Sequence, residues 1–326
     1  MTDNDHKLPD APKRLVVEGF WNLLVLAGAG VSLCTLLGFM GRFSWVLDLF
    51  AHFRVQYLFL LLLAIAVLLL GRKFRPALIF LAFAALNLME VAPFYASRPS
   101  MADREMPSHR AMLINVNTHI GNPALVTQVV TEADPDVLIL QEINARWIDQ
   151  LSDLANRFPY KVVEGREDNF GIGLYSKLPL QDSDVLHLGK AQVPSIQTNV
   201  MVDDAPVTVI ATHPVPPAGR QRSAWRNDQL AELAGAIPSE KPVILIGDLN
   251  ATPWSHHFRR LVRESGLKDS ARGFGVQPTW PTFIAPLSIP IDHCLHSDDI
   301  LIHDRRIGED VASDHFPVIV DFAIKG

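Results

Sequence analysis

Apolar and polar positions alternate on two different scales along this chain. Before residue 97 three long apolar runs dominate, at about 20–40, 55–71 and 76–95. Crossing the hydrocarbon core of a bilayer takes about 20 apolar residues, with about 17 as the lower limit. The second run, built on YLFLLLLAIAVLLLG, meets that limit without a charge, which a buried helix of a soluble core rarely does. The first run does not read as a cleaved leader, because two more runs follow it and no small-residue cleavage site does. The pattern predicts a membrane anchor over 1–97 with three transmembrane helices. Between the first two, RFSWVLDLFAHFR (42–54) is too short and too charged to span. It predicts an aromatic helix lying along the membrane interface. Glu90, near the end of the third run, reads as an interfacial acid that snorkels or pairs.

A polar linker with two prolines follows at 98–108. Beyond it the apolar runs shorten and alternate with amphipathic stretches. Strands are predicted at 111–117, 137–140, 161–163, 171–176, 198–202, 206–212, 243–246, 291–295, 299–307 and 317–322. Asn122-Pro123 starts a helix running to about 133, since proline suits the first helical position. Further helices are predicted up to 156, at 223–236 and at 256–265. The stretches 177–197, 214–224 and 271–290 read as loops that set specificity. Strands outnumber helices and pair in sequence, the pattern of an α/β sandwich of two mixed sheets with helices outside, over 109–326.

Charge sharpens this division. Of 29 Lys and Arg, nine lie in the first 100 residues, and of 35 Asp and Glu, six do. The remainder carries 20 bases against 29 acids, so it lacks the basic face that non-specific grip on long nucleic acid requires. Lys13 and Arg14 precede the first run, and Arg72, Lys73 and Arg75 crowd the turn between the second and third. The bias of bases toward cytoplasmic loops then places both in the cytoplasm and everything after residue 95 outside it. The expected location is a multi-pass protein of the cell (inner) membrane with its large domain on the periplasmic or extracellular side. Cys34 and Cys294 are too few and too far apart for a disulfide framework or a zinc site.

Candidate chemistry clusters at strand ends. Asn115 and Asn117 lie two apart on the first predicted strand, which puts both side chains on one face. Glu142 follows the apolar VLIL, His213 follows VTVIAT, and Asp248 and Asn250 sit in GDLN. Asp292 lies in IDHCL, and Asp314 and His315 in SDHFPV. Acids, amides and imidazoles recur, with no Ser or Cys nucleophile motif among them. The set suits a hard cation, which takes oxygen ligands and leaves room for water and a phosphate. Glu142 and Asp314 are the ligand candidates, Asp248 beside Asn250 can orient or deprotonate a water, and His213 and His315 can donate to phosphoryl oxygens. Asp292 can fix the tautomer of His315. Arg220, Arg222 and Arg226 read either as contacts to an anionic substrate or as a solvated basic face. Trp254 and Trp280 read either as a stacking platform or as core. His256, His257, His293 and His296 suggest no role.

Taken in order, INVN, PDVLILQE, NFGIGLYSK, ATHP, IGDLNATPWS, IDHCL and SDHFPVIVDF resemble the motifs of the endonuclease/exonuclease/phosphatase superfamily, in its membrane-anchored bacterial form. The resemblance covers 109–326 and implies a four-layer α/β/β/α sandwich, deoxyribonuclease-like, preceded by the three transmembrane helices. It implies a divalent-metal-dependent phosphoester hydrolase (phosphodiesterase, nuclease or phosphatase) using magnesium, for which manganese can substitute. By the same resemblance Glu142, Asn115 and Asp314 hold the metal, with Asn117 the alternative to Asn115. Asp248, Asn250, His213, His315 and Asp292 carry the catalysis, and Asn115, Asn169, Asn250 and His213 contact substrate. Asn169 stands where some abasic-site enzymes have a tyrosine, which argues against a DNA-repair role. The implied partners are a lipid head group, nucleotide or nucleic acid as phosphoester substrate and the lipid bilayer, with no obligate protein partner. The competing reading is a catalytically silent extracytoplasmic binding module on the same fold.

Overall fold

The computed structural model describes residues 11–96, 108–238 and 242–325. Three helical stretches are long and apolar enough to cross a membrane: Val17–Gly38, Trp45–Leu70 and Phe74–Phe94. The first belongs to helix α1 (Ala11–Gly38) and the third to α4 (Phe74–Val91) with the turn after it. The middle stretch joins a short helix, α2 (Trp45–Leu49), through a 3-10 turn at Phe50–Phe53 to α3 (Arg54–Leu70). Leu61, Leu68, Phe80 and Ala84 pack at the centre of the three helices, with Trp21 and Val25 against them. Most other apolar side chains of these helices point outward, among them Leu26, Leu63, Leu70 and Leu78. Outward leucines in water would be a large unburied apolar surface, the kind of surface that suggests association with a membrane. Toward one end a polar junction ties the helices together. Arg54 Nη1 donates to Thr35 O at 2.9 Å and to Asn87 Oδ1 at 3.3 Å, and Asn87 Nδ2 donates to Thr35 Oγ1 at 2.9 Å.

The rest of the described chain forms two six-stranded sheets. β1 (His109–Asn115), β2 (Val137–Gln141), β3 (Tyr160–Glu164), β4 (Ile172–Ser176), β11 (Ile300–Ile307) and β12 (Val318–Ile324) stand in the order β11-β12-β1-β2-β4-β3. The second sheet holds β5 (Leu180–Leu188), β6 (Val193–Val202), β7 (Ala205–Thr212), β8 (Val243–Asp248), β9 (Lys268–Asp269) and β10 (Asp292–His296), in the order β5-β6-β7-β8-β10-β9. β1 pairs with β2 in parallel, and so does β7 with β8. Leu113, Ile139 and Leu174 of one sheet meet Ile196, Val209 and Ile246 of the other in the central core. Strands covered on both faces read as unbroken apolar runs, which is why VLIL and VILI show no alternation.

Helices cover the two outer faces. α5 (Pro123–Ala133), α6 (Ala145–Gln150) and the single turn α7 (Ser152–Ala155) cover the first sheet, with Val126, Trp147 and Leu151 buried on it. Asn122 caps α5, its side chain accepting from the amides of Ala124 and Leu125. α8 (Arg220–Ala236) and α9 (His256–Ser265) cover the second sheet through Leu230, Leu233, Phe258 and Leu261. The architecture is the expected α/β/β/α sandwich.

Three local differences from the sequence reading have physical causes. Residues 180–202, read as a loop followed by a short strand, form the β5–β6 hairpin with a register shift between Gln181 and Asp184. The solvent-facing QDSD hides its alternation there. The helix predicted up to 156 is split into α6 and α7. The stretch 42–54, expected as a single interfacial helix, is instead a 3-10 turn, the short α2 and a second 3-10 turn leading into α3, with Asp48, Ala51, His52 and Arg54 buried. The predicted linker lies, except for Ser108, outside the described residues.

The anchor and the sandwich pack directly on each other. Asp48 accepts from Arg226 Nη2 at 2.9 Å, from Ser255 Oγ at 3.0 and 2.9 Å, and from the His256 amide at 3.0 Å. His52 Nδ1 and Thr252 Oγ1 are 2.9 Å apart. Glu90 pairs with Arg259, and the Glu90 carbonyl accepts from Trp254 Nε1 at 3.1 Å. Phe94 stacks edge-on against Trp254, and its carbonyl accepts from the amides of Gly273 and Gly275 at 2.9 and 2.7 Å. All these groups sit at the same end of the helices, opposite the turn that carries Arg72 and Lys73.

Candidate active site

Parallel pairing in both sheets brings the C-terminal ends of β1, β2, β7 and β8 to one edge of the sandwich. Asn115 ends β1, Glu142 follows β2, His213 follows β7, and Asp248 ends β8. β10 runs antiparallel to β8 with Asp292 opposite Asp248. The loop entering β12 adds Asp314 and His315. Gln141 joins the two sheets here: its Nε2 donates to Thr212 O at 2.8 Å, and its Oε1 accepts from the Asp248 amide at 3.0 Å. The sheets approach so closely that a Cβ on Gly247 would stand 1.8 Å from Thr212 O, so no larger residue fits beneath Asp248.

Asp248 is the hub. His213 Nε2 lies 3.4 Å and His315 Nε2 3.7 Å from its Oδ2, and Asn115 Nδ2 lies 3.4 Å from the same atom. Its Oδ1 accepts from the Asn250 amide at 2.8 Å. His315 Nδ1 donates to Asp292 Oδ2 at 2.9 Å. A second chain of contacts runs outward. Asn115 Nδ2 donates to Glu142 Oε1 at 3.0 Å, Asn115 Oδ1 accepts from the Asn117 amide at 3.1 Å, and Asn117 Nδ2 donates to Asp314 Oδ1 at 2.8 Å. Trp280 Nε1 holds the other Asp314 oxygen at 3.0 Å. Asn250 Nδ2 donates to Pro214 O at 3.0 Å. Asn117, Glu142, Asn169 and Asn250 all have positive φ, between 46° and 67°. Asn tolerates that region, but a Glu there is strained and held by its surroundings.

Burial opposes the charged forms of Asp248, His213 and His315, yet their mutual pairing dominates. Burial alone would depress His315, but the Asp292 charge and hydrogen bond, then Asp248 and Asp314, push it up to about 10. His213 is depressed by burial and raised more strongly by its contact with Asp248 and the charge of Glu142. Asp248 is raised by burial and lowered further by His213, by the His315 charge and by the Asn250 amide. The arrangement sets one buried carboxylate, its pKa lowered, against two imidazoles whose pKa values are raised by it.

The residues present fit a hard divalent cation. Asp248, Asp292 and His315 each offer one ligand atom within 4.8 Å of the others. His315 Nδ1 is already engaged by Asp292 Oδ2, which leaves its Nε2 to face that group. Glu142, Asp314 and Asn115 offer oxygen donors alone, the set magnesium prefers. Asp292 Oδ1 and His213 Nδ1 are buried without a hydrogen-bond partner among the described residues.

All nine residues singled out in the sequence for catalysis, metal or substrate, and the alternative Asn117, lie together. Asn117, Glu142, Asn169, His213, Asp248, Asn250, Asp314 and His315 line one cavity of about 750 Å³, with Asn115 and Asp292 behind them. Asn115 and Asn117 both take part, one toward Glu142 and one toward Asp314. Of the three arginines, Arg222 lines the cavity, while Arg226 is buried on Asp48. Trp254 is core; Trp280 lines the cavity. Sequence reasoning missed Gln141, which looks like the last residue of an apolar run, and Phe170, whose ring backs His213 at 5.4 Å. It also missed Leu49, His52 and Phe53, which reach the cavity from the anchor.

Comparison with known proteins adds the lineage. The model of the Endonuclease/Exonuclease/phosphatase family matches residues 112–315. No curated protein sequence matches the chain. Among solved structures, an endonuclease/exonuclease/phosphatase from Beutenbergia cavernae is similar at 20% identity and a TM-score of 0.56, over 68% of this chain and 72% of that one. An endonuclease/exonuclease/phosphatase from Bacteroides vulgatus is similar at 16% identity and 0.55, over 68% of this chain and all of that one (100%). The human Nocturnin catalytic domain, solved with a bound sulfate anion, is similar at 18% identity and 0.52, over 67% and 95%. At these identities the likeness is one of fold.

Proposed function

Since the chain belongs to the endonuclease/exonuclease/phosphatase family, we propose that it is a membrane-anchored phosphoester hydrolase that uses a divalent cation, magnesium by donor type, and acts outside the cytoplasm. The observation that carries this reading is the position of Asp248, set between His213 and His315 and tied through Asn115 to Glu142. Asp248 Oδ2 is the acceptor for a proton of the attacking water, which Asn250 helps orient. His213 and His315 donate to the non-bridging oxygens of the phosphoryl group, where negative charge gathers. Asp292 keeps His315 protonated and aimed. Glu142 and Asp314, with Asn115, would hold the cation; bound there, it would supply Lewis acidity to the phosphoryl oxygens. The side of the membrane is supported by the base-rich turn at Arg72–Arg75, which lies at the end of the helices away from the sandwich.

The test uses the full chain in nanodiscs with bis-p-nitrophenyl phosphate and magnesium. Hydrolysis is expected, with Asp248→Asn slower by about 10²–10⁴-fold and chelation abolishing turnover. A wild-type rate no higher than that of Asp248→Asn or Glu142→Ala overturns the reading. A reporter fused after Lys325 that works only outside the cytoplasm tests the side.

A further inference from the structure

The cavity is not closed by the sandwich alone. Leu49, His52 and Phe53, from the segment joining the first two membrane helices, form part of its wall. Asp48 and His52 pin that segment to the sandwich, so the wall is fixed. A second wall comes from the loop after Trp280, which brings Ile289 to the cavity and rests on the start of α3, where Gln56 Nε2 donates to Ser288 O at 3.0 Å. The tip of this loop is apolar and outward: Phe283 is 71%, Ile284 41% and Leu287 51% exposed. These are three of the six exposed large hydrophobics among the described residues after 108. Three such side chains within five residues form a patch, whereas single ones are ordinary surface. The loop that carries the patch is tied at Ser288 to Gln56 in the first turn of α3, part of a helical stretch long and apolar enough to cross a bilayer. Phe43 and Val46 of the anchor are also exposed, 65% and 42%. Arg222 is the one Lys or Arg among the cavity-lining residues, against four acids: Glu142, Asp168, Asp248 and Asp314. Such a lining does not track a nucleic-acid backbone.

We propose that the substrate is a phospholipid still seated in the leaflet that the sandwich faces. This rests on the hydrolase reading above and names its substrate class. The head-group phosphate enters at Asp248, while the acyl chains leave between Leu49 and Phe53 on one side and the 281–289 loop on the other. Water adds its hydroxyl to phosphorus, one ester P–O bond breaks, and the remaining proton passes to the departing oxygen. The loop tip dips into the interface and the anchor fixes its depth, so the lipid need not leave the bilayer.

The full chain in nanodiscs tests this, as wild type and as the double variant Phe283→Ser/Leu287→Ser. The substrates are long-chain phosphatidylglycerol and phosphatidylethanolamine, their monomeric dihexanoyl forms, an oligonucleotide, and bis-p-nitrophenyl phosphate. We expect long-chain lipid to be hydrolysed faster than its dihexanoyl form. The double variant is expected to lose roughly tenfold or more on long-chain lipid, the loss of two inserted apolar side chains. It should stay within about twofold on bis-p-nitrophenyl phosphate, because both side chains are exposed at the loop tip and neither lines the cavity. Hydrolysis of bis-p-nitrophenyl phosphate without any lipid hydrolysis overturns the substrate proposal and leaves the hydrolase reading standing. So does an oligonucleotide cleaved faster than every lipid, a dihexanoyl form cleaved as fast as the long-chain one, or an equal loss by the double variant on all substrates. Inactivity on everything sinks both.

Discussion

Asp292 never faces the cavity, yet it sets the chemistry of a group that does. Its Oδ2 accepts from His315 Nδ1 and outweighs the burial that would leave that imidazole neutral. Asp292→Asn keeps the shape and removes the charge. Phosphoester hydrolysis is expected to fall by about 10²–10⁴-fold at neutral pH, with KM little changed if His315 acts mainly on transition-state charge. The same substitution has a signature in stability. His315 rises from 6.5 to about 10 on folding, so its contribution is complete below 6.5 and lost as pH climbs toward about 10. Thermal unfolding of chelated wild type should therefore weaken across that window, and Asp292→Asn should flatten the decline. A parallel pH slope in both proteins would show that Asp292 does not control His315. Residues of this kind are legible when a sequence places an acid or imidazole beside an apolar strand, as it does Asp248, Asp292 and His315. Gln141 shows the limit. Its partners Thr212 and Asp248 belong to the other sheet, and nothing local marks a strand-end glutamine as the stitch between them. The positive φ of Glu142 is equally silent, because glutamate gives no hint of a left-handed backbone.

At the scale of elements, apolar runs translate well into strands and helices, because a strand covered on both faces and a helix in lipid leave the same simple trace. The 42–54 segment does not. Its charges exclude a plain span, and a membrane interface is the usual alternative for an aromatic, charged helix. Instead Asp48 and Arg226 are both almost fully buried against each other, which only the partner surface could reveal. Arg226 Nη1 also donates to Asn250 O at 2.8 Å, so this ion pair reaches the loop of Asp248 and Asn250. Removing one partner of a buried pair strands the other and costs about 3–5 kcal/mol, while replacing both by apolar residues is often neutral. Asp48→Leu and Arg226→Met are each expected to lower the unfolding temperature of the full chain, and the double variant to recover most of the loss. Additive losses in that cycle would mean the pair is not coupled. Stability recovered without activity would indicate that the Arg226 contact to the Asn250 carbonyl positions the loop.

For the whole molecule, the division between anchor and sandwich drawn by hydropathy says nothing of how closely the two pack. Hydropathy separates what lipid covers from what water covers, and it is blind to a polar interface joining the two. Here that interface combines polar contacts, through Asp48, His52 and Glu90, with an apolar cluster of Ala51, Phe94, Trp254 and Ala271. A fragment beginning at 108 would expose Trp254, strand Arg226 without its acid, and open the cavity where Leu49 and Phe53 stood. Its sheets should still form, because the central core draws on both sheets and on nothing from the anchor. Circular dichroism of the fragment should therefore show the folded sandwich, with an unfolding temperature below that of the full chain. Its hydrolysis of bis-p-nitrophenyl phosphate should fall by about 10-fold or more, since small displacements of a catalytic loop are costly. A fragment as stable and as active as the full chain would mean that the helices are only a tether. A fragment that folds but turns over slowly would mean that the membrane segment is part of the active site, and that the enzyme works as built only where a bilayer holds that segment in place.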